Sequence, residues 1–233
     1  MERVLCTGAG RGLGLAFAEQ YLARGARVFA GVRDPDQAGA LAALAREHPQ
    51  QLTPLRLDVT NADAIAAATE FIAKDGDGRL DILINNAGHS PRGEAFTNLD
   101  ADHMAGVFRV NAIAPMIVAQ QCAPLLRRAQ HPRIANISSS MGSLAKKDYG
   151  RHYSYSASKA ALNMLTRAAA ADLQDSGIIV TALHPGWVRT DLGGPRATQS
   201  PEESVAGMLE VIDRMDAAAS GQFLTWEGEV HPW

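Results

Sequence analysis

A glycine-rich stretch near the start of the chain constrains the fold more than any other feature. It follows the apolar run at residues 4–6, precedes a helical pattern at residues 15–22, and reads Thr7-Gly8-Ala9-Gly10-Arg11-Gly12-Leu13-Gly14. A strand, a glycine turn and a helix in this order can bind a pyrophosphate through backbone N–H groups and the helix N-terminus. Gly8, Gly12 and Gly14 lack the Cβ that would hold a ligand away from the backbone. An ordinary tight turn is the alternative, but this density of glycine favours a nucleotide site.

The rest of the chain alternates between strand and helix patterns. Strands are predicted at residues 27–33, 52–59, 80–84, 133–137, 178–183 and 221–226, and helices at 38–47, 62–74, 99–128, 154–173 and 202–215. This alternation is typical of a parallel sheet covered by helices. We therefore predict an α/β Rossmann-type fold, a doubly wound parallel β-sheet of about seven strands with helices on both faces, in a three-layer sandwich. No linker, repeat or low-complexity tract interrupts it, so we expect a single domain over residues 1–233.

Composition excludes several classes of function. A net charge of -3 gives no basic field, which argues against nucleic acid as a partner. Two cysteines, Cys6 and Cys122, form neither a disulfide framework nor a metal cluster, so we expect a cytoplasmic protein without a metal. The longest uncharged run, residues 110–126, contains Pro115 and Pro124 and is shorter than a membrane span. It predicts a buried helix, and we expect neither an export signal nor a membrane partner.

The end of the second predicted strand bears on which dinucleotide would bind. In dinucleotide-binding folds an acidic residue there holds the 2′-hydroxyl of NAD, whereas arginine accommodates the 2′-phosphate of NADP. Here Arg33 ends the strand, Arg11 in the glycine turn adds a second charge, and Asp34 is the counter-evidence. Asp34 can instead start the turn that continues through Pro35. The charges favour NADP(H) over NAD(H).

Tyr155 and Lys159 are the strongest candidates for acid/base chemistry. Four residues separate them on a predicted helix, so both side chains lie on one face. A nearby cation favours the ionised phenol, which would let Tyr155 give and take a proton near neutral pH. The same spacing also occurs by chance on solvated helices. Polar residues elsewhere are equally ambiguous alone: Asn86 can be a turn former, and the serines at 138–140 can be a plain loop.

Together these residues resemble the classical short-chain dehydrogenase/reductase family. The matching motifs run nearly end to end: the TGxxxGxG turn at residues 7–14, Asp58-Val59, the NNAG segment at 85–88, Asn111, Ser139 after Asn136-Ile137, the YxxxK pair, and the PGxxxT loop at 185–190. Their number and order leave little room for chance. The ending of the chain, from Trp187 to Trp233, is most similar to the sniffer and C-factor group of carbonyl reductase-like proteins.

The resemblance implies an oxidoreductase and names its residues. The implied catalytic residues are Asn111, Ser139, Tyr155 and Lys159. The implied cofactor-binding residues are Gly8, Arg11, Gly12, Leu13, Gly14, Arg33, Asp58, Val59, Asn86, Ala87, Gly88, Tyr155, Lys159, Pro185, Gly186, Val188 and Thr190. Hydride would pass between NADP(H) and a carbonyl or alcohol substrate, with Tyr155 as general acid/base, Ser139 on the substrate oxygen and Lys159 on the nicotinamide ribose. Asn111 would hold a water behind Lys159.

Several points stay open at this stage. Ser139 and Tyr155 are 16 residues apart, longer than is usual in the family, so Ser140 is an alternative to Ser139. The substrate depends on loops 88–98, 141–152 and 190–200, the last of which predicts an open pocket. His89, His152 and Trp187 are candidate lining residues, although surface or packing roles are favoured for both histidines. A homodimer or homotetramer is expected. A regulatory or signalling protein that binds NADP(H) and turns over little is the alternative function.

Overall fold

A computed structural model describes residues 1–233, and a single parallel sheet runs through it. Its strands are β1 (Arg3–Thr7), β2 (Arg27–Val32), β3 (Leu52–Arg56), β4 (Ile82–Asn85), β5 (Arg133–Ile137), β6 (Ile179–His184) and β7 (Phe223–Thr225). They are arranged in the order β3-β2-β1-β4-β5-β6-β7, and every pairing is parallel. The predicted doubly wound sheet of seven strands is therefore confirmed.

Helices cover both faces of the sheet. They are α1 (Gly12–Ala23), α2 (Gly39–Glu47), α3 (Ala62–Asp75), α4 (Ala101–Phe108), α5 (Ala114–Leu126), α6 (Tyr153–Leu173) and α7 (Pro201–Asp213). One apolar core lies under α1, α2 and α7, and a second lies under α3, α5 and α6. The strands read as continuous apolar runs because both of their faces are buried. No helix combines the length and the apolar character that a membrane crossing requires.

The strand order reverses between β1 and β4. From β1 the chain builds outward through β2 and β3, and from β4 it builds the opposite way. Open α/β sheets bind their ligands at this switch point, at the carboxyl ends of the strands. The glycine turn follows β1 and the segment Asn86–Gly88 follows β4, so the fold brings both to the same crevice.

Two elements differ most from the sequence prediction. The helix expected over residues 99–128 is divided by a π-helical turn, Arg109–Ile113, which contains Asn111. The strand expected over 52–59 ends at Arg56, so Asp58 and Val59 lie in the loop beyond it. β3 is an edge strand, and therefore Pro54 within it costs no hydrogen bond to a further strand.

Candidate active site

The glycine turn forms a tight cradle that leaves no room for side chains at Gly8 or Gly14. Gly8 and Gly12 have left-handed backbones, with φ of 68° and 55°, a conformation that favours glycine. A Cβ on Gly14 would clash with the carbonyl oxygen of Gly8. No side chain caps the N-terminus of α1, and its first turn has no acidic residue. The backbone N–H groups there are thus available to an anion, as a dinucleotide pyrophosphate requires.

The segment after β4 braces this cradle. The backbone N–H groups of Asn86 and Ala87 each donate to the Thr7 hydroxyl at 3.0 Å, and the Asn86 amide donates to the Thr7 carbonyl at 2.9 Å. A Cβ on Gly8 would lie 2.9 Å from the Ala87 Cα, so the two loops are in direct contact. The structure thus places Asn86 and Ala87 against the glycine turn, where Asn86 fixes the backbone of the cradle.

The loop after β6 covers the open side of the glycine turn. A Cβ on Gly12 would lie 3.1 Å from the Thr190 methyl group. Pro185 is held by the Ser204 hydroxyl, which donates to its carbonyl at 2.6 Å, and Gly186 has a φ of 83°. Val188 is buried. The predicted PGxxxT loop and the predicted glycine turn therefore line one cleft.

Arg11 forms an ion pair with a residue of the loop after β6. Its guanidinium pairs with the Asp191 carboxylate at 2.5 Å, and both side chains are largely exposed. Exposed pairs of this kind contribute about 1 kcal/mol or less. A phosphate can therefore compete for Arg11, and the pair links the glycine turn to the loop after β6. Arg92, from the loop after β4, adds a hydrogen bond to the Asp191 carbonyl at 3.3 Å.

Two charged residues at the end of β2 differ in whether they have a partner: Asp34 is paired with a cation, and Arg33 is not. Asp34 accepts from the backbone N–H of Asp36 and pairs with Arg56 at 3.2 Å, so it starts the turn. Arg33 is exposed, and its guanidinium has neither an ion pair nor a hydrogen bond. The pKa of the Asp58 carboxyl is lowered, first by hydrogen bonds from Thr60 and also by Arg33. The free cation thus lies near Asp58, one of the predicted cofactor-binding residues.

Tyr155 lies on the first turn of α6, with its phenol buried beside Ser139. Burial raises the pKa of the phenol, and a hydrogen bond with the Ser139 hydroxyl opposes that rise. The Ser139 oxygen also accepts from the backbone N–H of Met141 at 3.2 Å. With that oxygen engaged, the Ser139 hydroxyl hydrogen is free to point toward the phenol or a substrate oxygen.

Lys159 is one helical turn away and almost fully buried. Its Nζ donates to the Ile137 carbonyl at 2.7 Å and lies 5.8 Å from the centre of the Tyr155 ring. Burial lowers the pKa of this ammonium to about 8. That Lys159 lowers the pKa of Tyr155 stays a prediction, since burial raises the pKa of the phenol in this structure. The burial of the phenol is the largest influence on its pKa, and the Lys159 ammonium donates to a backbone carbonyl and not to the phenol.

Asn111 occupies the π-helical turn and has no exposed surface. Its amide donates to the His89 carbonyl at 2.8 Å and to the Ser158 hydroxyl at 3.0 Å, and its oxygen accepts from the His89 N–H at 2.8 Å. A Cβ on Gly88 would lie 3.7 Å from this oxygen and 3.9 Å from Lys159 Nζ. The structure thus brings Asn111, Gly88 and Lys159 together, with the amide side chain fully engaged by protein groups.

The three serines after β5 have different environments. Ser138 is buried and donates to the Asn163 side chain at 2.6 Å. Ser139 is beside the Tyr155 phenol. The backbone N–H of Ser140 donates to Nδ1 of His184, the last residue of β6, at 3.2 Å. Of the two alternatives that the sequence left open, Ser139 is the one in contact with Tyr155.

No sequence pattern indicated the side chain that caps the helix that carries Tyr155. Glu94, from the loop after β4, accepts from the Ser154 hydroxyl, and it accepts from the Ser154 backbone N–H at 2.9 Å. His152 precedes the helix in a left-handed conformation and supplies no side-chain cap. A carboxylate at a helix N-terminus satisfies its free N–H groups and favours its dipole.

The three candidate lining residues make local contacts. The His89 ring stacks on His103 with centroids 5.9 Å apart, and the half-exposed Trp187 donates from its indole to the Gly193 carbonyl at 2.8 Å. His152 is part of the backbone turn into α6. These positions agree with the surface roles favoured for both histidines, and Trp187 lies at the edge of the cleft.

Other surfaces lack this combination of groups. A groove of about 920 Å³ lies between α7 and the turn after β7, and its Glu210 already pairs with Arg214 at 3.1 Å. It holds neither a tyrosine nor a lysine. No group of three or more His, Cys, Asp or Glu side chains is placed to hold a metal ion.

Comparison with known proteins identifies the family. A model of the short chain dehydrogenase family matches residues 2–201. The chain belongs to the short-chain dehydrogenase family. The family resemblance predicted from the motifs is confirmed.

Individual relatives include carbonyl reductases within this family. The NADPH-bound carbonyl reductase from chicken fatty liver is 40% identical, covers 100% of this chain and 99% of that chain, and superposes with a TM-score of 0.95. The carbonyl reductase Sniffer of D. melanogaster is 31% identical, with full coverage of both chains and a TM-score of 0.95. C-signal of Myxococcus xanthus is 45% identical over 156 residues, which cover 67% of this chain and 94% of that protein.

Proposed function

We propose that this short-chain dehydrogenase is an NADP(H)-dependent oxidoreductase that interconverts a carbonyl compound and its alcohol, with Tyr155 as general acid/base. The contact between the Tyr155 phenol and the Ser139 hydroxyl, at the carboxyl edge beside the glycine cradle, carries the proposal. The NADPH-bound carbonyl reductase from chicken, with which the whole chain superposes, supports the cofactor and the reaction class.

The residues at the switch point fit a phosphorylated dinucleotide. The cradle at Gly8, Gly12 and Gly14 would take the pyrophosphate, because the N-terminus of α1 beside it has no side-chain cap and no acidic residue in its first turn. Arg33, which has no partner in the protein, would pair with the 2′-phosphate. Asp34, the residue that would favour NAD, is neutralised by Arg56. When bound, the cofactor supplies or accepts the hydride, and the protein supplies geometry and the proton.

Tyr155 and Ser139 would act on the same substrate oxygen. In reduction the phenol would donate its proton to the carbonyl oxygen, and in oxidation the phenolate would remove the proton of the alcohol. A phenol whose pKa is raised by burial is fully protonated near neutral pH, which favours its role as the acid. Ser139 would donate a second hydrogen bond to the oxygen and stabilise the charge that develops there.

Lys159 and Asn111 would form the inner end of the proton path. With a pKa of about 8, Lys159 can exchange a proton near neutral pH. The Asn111 side chain is fully engaged, so a water would be held by its backbone carbonyl. Pro115, four residues later, has no N–H to donate to that carbonyl, which leaves it open to water.

The substrate would be a small carbonyl or alcohol held in an open cleft. The three loops around it expose four large apolar side chains, Phe96, Leu144, Tyr149 and Leu192, and the exposed Trp187 lies just before the last loop. Both cysteines are free, which suits a reducing cytosol. The exposed apolar residues Ile113 and Ile117 on the α5 side and Met164 on α6 would be covered in a homodimer or homotetramer.

A second candidate is a signalling protein that binds NADP(H) and turns over little. The 45% identity with C-signal favours it. Turnover distinguishes the two functions. Oxidation of NADPH with any member of a panel of aldehydes, ketones and quinones supports the enzyme. Tight NADPH binding with no oxidation across the panel would favour the signalling protein.

Tyr155→Phe tests the proposed acid. We expect a loss of roughly two decades or more in kcat with NADPH affinity kept, the scale of lost acid/base catalysis. Tyr153→Phe is the matched control, because Tyr153 lies on the same turn and packs against Phe96. That variant should keep its activity. Wild-type rates in the Tyr155→Phe variant would exclude Tyr155 as the acid.

A further inference from the structure

We propose that His184 is a positioning residue for the reaction, which holds the peptide between Ser139 and Ser140 so that the Ser139 hydroxyl faces the Tyr155 phenol. The inference rests on the proposed function, because it assigns His184 a role in the proton transfer at Tyr155. His184 ends β6, directly before the Pro185-Gly186 turn, and has no assigned chemistry.

Ser139 lies between two anchored neighbours. On one side, Ser138 is fixed by its backbone N–H, which donates to the Leu183 carbonyl at 2.7 Å, and by its hydroxyl on Asn163. On the other side, the backbone N–H of Ser140 has left the strand ladder and donates to His184 Nδ1 at 3.2 Å. Without His184, the Ser140 N–H would lose its partner, and the peptide between Ser139 and Ser140 would be held only by the turn contacts that Met141 and Gly142 make to Ser139.

His184 can do this only as a neutral ring with its proton on Nε2, because Nδ1 must accept. Its surroundings keep it neutral: burial, with His231 and Lys146 nearby, lowers its pKa to about 4. In the protonated imidazolium, Nδ1 would carry a hydrogen and could no longer accept from the Ser140 N–H, so the Ser140 peptide would be released. At neutral pH the ring is neutral, and Nδ1 therefore remains an acceptor.

The C-terminal segment holds the ring in place. The chain turns back after β7, and the backbone N–H of His231 donates to the Phe223 carbonyl at 2.7 Å. The His231 ring lies 4.6 Å from the Phe223 ring and meets His184 edge-on, with centroids 5.4 Å apart. Trp233 packs on Phe223 at 5.6 Å, and its carbonyl accepts from the Ser143 hydroxyl at 3.1 Å. Both ends of the Ser140–Gly142 turn are thus tied to this segment.

Two substitutions distinguish the hydrogen bond that His184 accepts from the packing of its ring. His184→Phe keeps the ring and removes the acceptor, and His184→Asn places an oxygen at the position of Nδ1. We expect His184→Phe to lower kcat about 10- to 100-fold, the scale of a misplaced catalytic group, with KM and the NADPH Kd little changed. His184→Asn should stay within about threefold of the wild type, because the hydrogen bond is restored. Equal losses in both variants would overturn the role.

A double-mutant cycle with Ser139→Ala shows whether His184 acts through Ser139. In the Ser139→Ala background, His184→Phe should cost less than about twofold, because the group that it positions is already gone. Multiplicative losses, with the full effect of His184→Phe retained, would contradict the proposal. A wild-type protein that turns over no carbonyl compound would instead remove the proposed function and this role with it.

An activity-independent readout covers variants that fold poorly. Imidazole ¹⁵N spectra of the wild-type protein should show His184 neutral with its proton on Nε2 between pH 6 and pH 8. Slow amide exchange of Ser140 in the wild type should be lost in His184→Phe and kept in His184→Asn. A proton on Nδ1 would overturn the proposal at any level of activity.

Discussion

Lys159 donates to the carbonyl oxygen of Ile137 at 2.7 Å, while its Nζ lies 5.8 Å from the centre of the Tyr155 ring. A buried ammonium with one backbone acceptor is incompletely solvated, which explains its pKa of about 8. Tyr155, the candidate acid, and Lys159, the candidate cation, therefore lie close together without a hydrogen bond between them. The lysine is held at the expense of stability, as is common for groups at functional sites.

Replacing Lys159 with Met should stabilise the protein while removing activity. The native pKa of about 8 lies below the ordinary value of 10.5, so the unfolded chain binds more protons between these two pH values. The difference corresponds to about 3 kcal/mol below pH 8, offset by about 1 kcal/mol for the lost hydrogen bond. We expect Lys159→Met to gain about 2 kcal/mol at pH 7, measured by urea denaturation.

The pH dependence of that gain is the sharper test. As pH increases from 8 to 10.5, the stability advantage of Lys159→Met over the wild type should shrink, because the lysine of the unfolded wild-type chain loses its proton over this interval. The raised pKa values of the buried Cys6 and Cys122 thiols affect both proteins alike and cancel in the difference. Lys74→Met is the control, because Lys74 is exposed and pairs only with Glu70. It should show no gain. A constant difference between Lys159→Met and the wild type at pH 7 and pH 10 would contradict this explanation.

The three serines after β5 should respond differently to replacement by alanine. Ser139→Ala removes a donor to the substrate oxygen and should lower kcat by about 10²- to 10³-fold. Ser140→Ala keeps the backbone N–H that His184 accepts, so its kcat should change little. Ser138→Ala removes the donor to the side-chain oxygen of the buried Asn163 and should cost about 1–3 kcal/mol of stability. A larger kcat loss in Ser140→Ala than in Ser139→Ala would reverse the assignment.

Arg33 should determine the preference between the two dinucleotides. Arg33→Ser removes a charge-assisted partner for the 2′-phosphate, worth about 1.5–3 kcal/mol, so NADPH should bind more than tenfold more weakly. NADH, which lacks this phosphate, should bind within about twofold of its wild-type affinity. Arg46→Ser, an exposed site on α2, controls for net charge. Calorimetric titration with both dinucleotides measures the shift, and equal weakening of both would exclude the 2′-phosphate contact.

Most of the fold could be predicted because its signals are local. Each strand is buried on both faces and therefore appears as a continuous apolar run, and each helix has its own periodicity. The π-helical turn at Asn111 could not be predicted from periodicity, since it inserts one residue into an otherwise helical pattern. In the sequence, only Pro115 and the polar Asn111 within an apolar helical run indicated an irregularity there.

The candidate site was predictable where motifs mark it and not where contacts are long-range. The motifs indicated Tyr155, Lys159 and Ser139, and the structure brings them to one edge of the sheet. They carried no information on the direction of the Lys159 ammonium, which depends on Ile137 from β5. The contact of His184 could not be predicted from the sequence either, because its partner Ser140 lies 44 residues earlier in the chain.

Glu94 should stabilise the helix that carries Tyr155. Its carboxylate accepts from both the backbone N–H and the hydroxyl of Ser154, whose side chain is buried. Glu94→Ala removes the acceptor for both groups and should cost about 1–2 kcal/mol, the scale of a lost N-cap. Glu94→Gln retains a neutral acceptor and should lose less. Urea denaturation measures both variants.

The same contact ties the loop after β4 to the catalytic helix, so kinetics should follow stability. Glu94→Ala should lower kcat, because the first turn of α6 carries Tyr155 and loses its cap. Glu47→Ala, at an exposed site near the end of α2, is the control and should change neither quantity. If Glu94→Ala left both stability and kcat unchanged, the N–H and the hydroxyl of Ser154 would have to be satisfied by water, and Glu94 would have no part in positioning Tyr155.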